Sequence, residues 1–164
     1  MKRILCLLTV FAVFLCICGC QNSKSEIIDP VQLYYCKANV SFQSETGLIA
    51  SEPREYDGWE NNIQEFLNEY LAGPVSSELK SPFPLGGRIV ELSQENSVVN
   101  LLLNINFSRL SPKDLTGACA CISMTVFELL NAEIVNIKIT NYLSERDVIT
   151  MTRSNLCLWD NEGI

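Results

Sequence analysis

The side chains that could do chemistry in this sequence are carboxylates and thiols, because none of the 164 residues is histidine. Imidazole is the commonest general base and metal ligand, and its absence excludes the serine and cysteine mechanisms that depend on it. Two pairs of carboxylates lie close together in the sequence: Glu52 with Glu55, and Glu145 with Asp147. Both pairs lie in polar segments without an aromatic platform, which does not favour glycoside hydrolysis. We predict a protein without catalytic residues, metal or cofactor.

Thiols are the second reactive group, with eight cysteines in the chain. Cys36, Cys119, Cys121 and Cys157 follow the amino-terminal segment and allow three disulfide pairings. Cys119 and Cys121 fall in a predicted helix, where residues two apart point about 200° apart and cannot share a metal or readily bond each other. Buried thiols are the favoured interpretation, and one or two disulfides are the alternative.

Cys20 closes a segment typical of an exported bacterial protein. Lys2 and Arg3 precede an apolar run over residues 4–18, which is shorter than the roughly 20 residues of a spanning helix. The stretch Ile17-Cys-Gly-Cys20 resembles the bacterial lipobox, in which the final cysteine is thioether-linked to diacylglycerol. We therefore predict a signal peptide at 1–19, lipidation of Cys20 and a polar tether at 20–30. A plain signal peptide or a short uncleaved anchor is the alternative.

Acidic side chains dominate the composition, with 19 Asp and Glu against 12 Lys and Arg and a formal net charge of −7. Removal of residues 1–19 would take away Lys2 and Arg3 and leave a net charge of −9. A phosphate-binding surface needs clustered basic residues, and no such cluster follows Arg3. The sequence therefore predicts no nucleic-acid binding.

Hydrophobic periodicity predicts strands alternating with two helices. The predicted strands cover residues 31–40, 88–93, 98–107, 134–141, 148–151 and 155–159, with a further short strand near Leu48, and the predicted helices cover 59–72 and 112–131. From residue 98 onward, apolar residues alternate with Asn100, Asn104 and Asn106, so one face of that strand should meet the core and the other solvent. The second helix, capped by Ser111 and Pro112, is more apolar and should be more buried.

This order of elements predicts one α+β domain over residues 31–160. The β-α-β-β-α-β order favours two helices packed on one face of a mixed sheet, with extra β structure at the carboxyl terminus. We expect the β structure to form a single sheet.

Several motifs together resemble the GerMN domain, a family named from spore germination and sporulation proteins. They are Glu69-Tyr-Leu-Ala-Gly-Pro74, Leu79 with Pro84-Leu-Gly, Asn106-Phe-Ser108, and Ile122-Ser-Met-Thr-Val-Phe-Glu-Leu-Leu130 leading into Val135-Asn-Ile-Lys-Ile139. The resemblance covers roughly residues 33–158. It departs from the family at Gly86-Gly-Arg88, where Gly-Thr is usual, and at Asn104 or Asn106, where an aspartate is usual.

The resemblance implies a compact fold similar to the ring-building modules of envelope-spanning assemblies, with no catalytic residues. Our leading hypothesis is a non-enzymatic lipoprotein on the extracytoplasmic face of the membrane, held by Cys20, that meets envelope proteins or a second copy during sporulation or germination. The alternative is a surface-anchored binding protein for a peptide, cell-wall fragment or small solute. Its groove would be lined by Tyr34, Tyr35, Trp59 or Trp159.

Overall fold

The computed structural model describes residues 30–39, 47–55, 58–140 and 148–156, apart from the side chain of Trp59. In chain order its elements are β1 (Val31–Lys37), β2 (Ile49–Arg54), α1 (Ile63–Tyr70, preceded by the 3-10 helix Trp59–Asn62), β3 (Leu79–Lys80), β4 (Ile89–Glu95), β5 (Val98–Leu103), α2 (Pro112–Leu130, preceded by the 3-10 helix Ile105–Arg109), β6 (Ile134–Ile139), β7 (Ile149–Thr152) and α3 (Arg153–Leu156). The predicted α+β class is confirmed.

The strands form two sheets, so the expectation of a single sheet was wrong. One sheet has the order β2-β1-β3 and the other β4-β5-β6-β7. The four-stranded sheet is mixed as predicted, because β5 and β6 run parallel while its other pairs are antiparallel. β1 instead pairs along its length with β2, the short strand expected near Leu48.

Helix α2 lies between the two sheets, which explains why they are separate. Its residues Gly117, Cys121 and Thr125 repeat every four positions and therefore share one side of the helix. That side faces β1: the Tyr34 N–H donates to the Thr125 hydroxyl over 3.1 Å. The helix also contacts β6 and β7. Residues 117–123 and 125–127 of α2 are all buried, so the predicted burial of α2 is confirmed.

The helix ends follow the predicted signals. The Ser111 hydroxyl accepts a hydrogen bond from the Asp114 N–H at 3.2 Å, and Pro112 occupies the first turn of α2. After α1, Gly73 has a φ of +117°, a backbone conformation that L side chains rarely adopt. Gly73 therefore ends the helical segment directly after residue 72, the predicted end of the first helix.

The predicted strands were wrong over residues 105–107 and 155–156, which are helical. β5 ends at Leu103, and residues 105–109 form a 3-10 helix that buries Phe107 completely. The spacing of Ile105 and Phe107 had suggested a longer strand. Residues 153–156 form the short helix α3, whose Arg153 donates to the Phe127 carbonyl at 3.0 Å. The rest of the predicted strand at 155–159 lies outside the described residues.

The core is continuous across both sheets. Its fully buried members include Leu33, Tyr35, Leu67, Tyr70, Val99, Leu103, Phe107, Ile122, Val126, Val135 and Ile137. Among the described residues, no helix is both long and apolar enough to cross a membrane.

Candidate interaction surface

The outer side of the four-stranded sheet, which we call the open face, is the broadest candidate site. Side chains alternate along β5 and β6, with Val99, Leu101 and Val135 buried in the core and their neighbours directed outward. By strand register the open face consists of Glu91, Ser93, Glu95, Val98, Asn100, Leu102, Ile134, Asn136, Lys138, Thr150 and Thr152. These side chains are exposed or half-buried. The predicted solvent-facing side of β5 is thereby confirmed.

A row of polar side chains crosses the middle of the open face. The Asn136 amide donates to the Asn100 side-chain carbonyl at 3.1 Å, and the Thr150 hydroxyl donates to the Asn136 side-chain carbonyl at 2.9 Å. Each residue of the row comes from a different strand, β5, β6 and β7. Because the bonds orient the amides, the row presents fixed polar groups beside the apolar side chains of Leu102 and Ile134.

The edge of this sheet at β4 is partly closed by α1. The Asn68 side chain accepts from the Ile89 N–H at 2.8 Å and donates to the Ile89 carbonyl at 3.1 Å. The Gln64 amide donates to the Val90 carbonyl at 2.8 Å. These side chains satisfy backbone groups that an edge strand would otherwise offer to another chain. The surface left for a partner is therefore the face of the sheet rather than the start of β4.

Glu52, which the sequence paired with Glu55, has a buried carboxylate that is hydrogen-bonded to neighbouring residues. Only 8% of Glu52 is exposed, and its oxygens accept from the N–H groups of Val75 and Ser76 at 3.0–3.1 Å. Arg54 donates to Glu52 at 2.7 Å and to the Gly73 carbonyl at 2.7 Å. These bonds tie β2 to the loop after α1.

Burial of Glu52 disfavours its charged form, but the hydrogen bonds from Ser76, Val75 and Arg54 outweigh burial and lower its pKa. The carboxylate borders a surface cleft of about 700 Å³ together with Pro30, Pro53 and Glu55. Because the amides and Arg54 occupy its oxygens, Glu52 is placed to hold the loop rather than to transfer protons. Glu55 is exposed, and the second predicted pair, Glu145 and Asp147, lies outside the described residues.

The aromatic residues expected to line a groove do not form one where they are described. Tyr35 is completely buried and packs against Tyr70, with ring centroids 5.0 Å apart. Burial raises the pKa of Tyr35, whose hydroxyl donates to the Tyr70 carbonyl at 3.1 Å. Tyr34 is half-buried against the core. The side chain of Trp59 and the whole of Trp159 lie outside the described part of the chain.

Among the described cysteines, Cys36 of β1 lies beside Cys121 of α2, whereas Cys119 lies on a different side of α2. Cys36, Cys119 and Cys121 are free cysteines, and the Sγ atoms of Cys36 and Cys121 are 4.0 Å apart. Burial raises the pKa of Cys119 to about 12. Among the described residues, no group of His, Cys, Asp or Glu has the arrangement of a metal site. Cys20 and Cys157 lie outside the described residues.

Sequence reasoning missed the polar row and the contacts of Thr125 and Asn68. The alternation along β5 and β6 gave a signal for the row, because it placed Asn100 and Asn136 on the solvent side of their strands. It could not place them beside each other, since that requires the parallel register of β5 with β6. No sequence signal marked Thr125, which lies within the buried part of α2.

The fold is similar to that of solved proteins. It resembles the tandem GerMN domains of the sporulation protein GerM from Bacillus subtilis, with a TM-score of 0.52, 19% identity, and coverage of 76% of this chain and 42% of that chain. The predicted GerMN-like fold is thereby confirmed, and the chain spans less than half the length of the GerM chain. A second structure, "Putative Lipoprotein from Clostridium perfringens", has 14% identity, covers 82% of this chain and 95% of that chain, and has a TM-score of 0.48, too low to inform the fold. No family model matches the sequence, and neither does any curated protein.

Proposed function

We propose that this chain is a lipid-anchored, extracytoplasmic module with no enzymatic activity, which takes part in envelope- or spore-associated assembly by binding another protein through the open face. The observation that carries the proposal is a GerMN-like fold in which both main helices contribute to the core while the outer side of the four-stranded sheet stays accessible. The role in sporulation is carried over from the protein of similar fold.

The composition of the open face supports protein binding. Protein interfaces combine apolar contact area with oriented hydrogen-bonding groups. Here Val98, Leu102 and Ile134 supply half-buried apolar area that faces away from the core, and the Asn100 and Asn136 side chains supply ordered amides. A partner can bury the apolar groups and bond the amides without reorganising the sheet.

Charge indicates the kind of partner. Glu91 and Glu95 are exposed at one side of the open face, and Lys138 is exposed within it. The whole chain carries a formal net charge of −7. A protein with basic side chains in its contacting surface would be attracted to this module, whereas a second copy would be repelled. We therefore expect another envelope protein as the partner and weaker binding at high salt.

The anchor depends on Cys20. The predicted tether at 20–30 leads directly into β1 at Val31, so a lipid on Cys20 would hold the domain near the membrane. Two acyl chains give stable anchoring without a spanning helix, since each buried methylene contributes about 0.8 kcal/mol. Mass spectrometry of the membrane-extracted protein should find an acylated Cys20 as the first residue, and Cys20→Ala should be released or left unprocessed. An unmodified Cys20 would contradict the anchor.

Affinity capture from envelope extracts tests the assembly role. The tagged full-length protein should retain a specific protein partner, and Asn100→Lys should lose it because a cation is placed at the centre of the open face. Asn61→Lys is the matched control, since Asn61 is exposed before α1 and the substitution changes the charge equally. Equal recovery of the partner by both variants would contradict the proposal. Thermal stabilisation by cell-wall fragments without any protein partner would favour the ligand-binding alternative.

A further inference from the structure

Cys36 and Cys121 are brought together by the packing of α2 on β1, although 85 positions separate them in the chain. Their Sγ atoms are 4.0 Å apart, and both are free cysteines. Gly117, one helical turn before Cys121, also faces this site, since a Cβ built there would lie in van der Waals contact with the Cys36 sulfur, at 3.9 Å. The fold thus positions two thiols from different elements next to each other.

We infer that Cys36 and Cys121 are a redox pair that closes to a disulfide and covalently joins β1 to α2. A disulfide requires the sulfurs to approach from the observed 4.0 Å to about 2.05 Å. Cys119 does not compete for either thiol, because residues two apart in a helix point to different sides. The inference is independent of the proposed partner binding.

Accessibility decides which thiol reacts first. Cys36 is half-buried, whereas Cys121 is completely buried. The hydrogen bond from the Cys121 thiol lowers the pKa of Cys36 to about 7; the charge of Lys80 acts in the same direction, while burial and the charge of Asp114 oppose it. The same contact with Cys36, together with burial, raises the pKa of Cys121. Because the thiolate is the attacking species, Cys36 is the nucleophile and Cys121 the resolving thiol.

The reaction needs a disulfide-containing oxidant, such as oxidised glutathione or the disulfide of an oxidoreductase. The Cys36 thiolate attacks one sulfur of the oxidant, the oxidant's S–S bond breaks, and one thiolate leaves. Cys121 then attacks the Cys36 sulfur, and its proton passes to the second thiolate of the oxidant as that thiolate leaves. In sum, two protein thiols are oxidised by two electrons and the oxidant is reduced to two thiols.

The bond would secure the junction between the two sheets. It would close a loop of 85 residues, and such cross-links stabilise proteins mainly by restricting the unfolded chain. Thiols outside the cytoplasm meet oxidants that form and keep disulfides. An exported form of this chain would therefore carry the bond, while a form kept in a reducing compartment would carry two thiols.

Peptide mapping of the full-length protein tests the inference. The protein, extracted in detergent, is equilibrated with oxidised glutathione, alkylated to block free thiols and digested with trypsin. Cleavage after lysine and arginine places Cys36 in the peptide 25–37 and Cys121 in the peptide 114–138. We expect most of the first peptide to be linked to the second, with the loss of two hydrogen atoms relative to the unlinked pair. Reduction should separate the two peptides and lower the melting temperature.

Variants identify the linked residue, because Cys119 shares the second peptide with Cys121. Cys119→Ser should retain the link, and Cys121→Ala should lose it and leave Cys36 as a mixed disulfide with glutathione. The inference is overturned if Cys36 of the folded wild-type protein remains alkylatable after oxidation. It is also overturned if Cys36 is found linked to Cys119 or Cys157.

Discussion

The hydroxyl of Tyr70 donates a 2.7 Å hydrogen bond to the backbone carbonyl of Tyr34, and the two residues come from α1 and β1. The N–H of the same Tyr34 donates to Thr125 of α2. β3 pairs with β1 at Cys36 and Lys37, so both side-chain bonds to Tyr34 lie beyond the paired residues of these two strands. Two side chains from two helices therefore bond the backbone of the same β1 residue.

Removal of the Tyr70 hydroxyl should destabilise the fold measurably. Tyr70 is completely buried, and Tyr70→Phe leaves the Tyr34 carbonyl without this donor while keeping the aromatic ring. We expect the free energy of unfolding to fall by about 0.5–1.5 kcal/mol, the usual net contribution of one hydrogen bond. Urea unfolding followed by circular dichroism measures it. Thr116→Ala is the control, because the exposed Thr116 hydroxyl donates to the Pro112 carbonyl of the same helix, and it should change stability by less than about 0.5 kcal/mol. Equal effects would contradict the role of Tyr70.

Glu52→Gln should cost stability in a pH-dependent way. The folded-state pKa of Glu52 is lowered, so its charged form stabilises the fold above the ordinary glutamate pKa of 4.5. We expect the wild type to exceed the variant by about 1–3 kcal/mol at pH 7, because glutamine can no longer accept the same set of bonds. The difference should shrink as the pH falls below 4.5 toward the folded-state pKa, where wild-type Glu52 also becomes neutral.

The control for this experiment is Glu55→Gln, since Glu55 borders the same cleft but is exposed. Its unfolding free energy should follow that of the wild type across the pH range within about 0.5 kcal/mol. Chemical denaturation at several pH values gives both curves. A Glu52→Gln difference that stays constant down to acidic pH would show that the charge of Glu52 does not contribute.

The contact of Asn68 with β4 should protect the start of that strand. Asn68→Ala removes both bonds to the backbone of Ile89, and we expect a loss of about 1–2 kcal/mol in unfolding free energy. Hydrogen exchange of the Ile89 amide should also accelerate. Glu69→Ala changes the adjacent exposed residue of the same helix and should leave that amide unaffected. Unchanged exchange in Asn68→Ala would rule out the proposed protection of the edge.

Local patterns predicted most elements, because alternation and helical spacing are properties of short segments. The spacing around Leu67 marked α1, and the alternation around Asn100 marked β5 together with its solvent side. The division into two sheets could not be predicted, because it depends on α2 packing on both sides. The four-residue spacing of Gly117, Cys121 and Thr125, which face β1, fits a helix buried on one side equally well.

The candidate sites were predictable only in part. Glu52 stood out as a member of a carboxylate pair, but its actual partners are Arg54 and the amides of Val75 and Ser76, about 23 residues further along the chain. Such long-range hydrogen bonds leave no periodic trace in the sequence. Cys36 and Cys121 were recognised as a possible pair among several, and only the contact of β1 with α2 singles them out.

Photo-crosslinking in intact envelopes tests the central claim most directly. A photoreactive residue is placed at position 100 on the open face of the full-length, lipid-anchored protein, and a second protein carries it at position 61 before α1. We predict that irradiation links position 100 to a defined envelope protein, that the product weakens at high salt, and that position 61 gives no such product. A product of equal strength from both positions, or none from position 100, would contradict the assignment of the open face as the site of assembly.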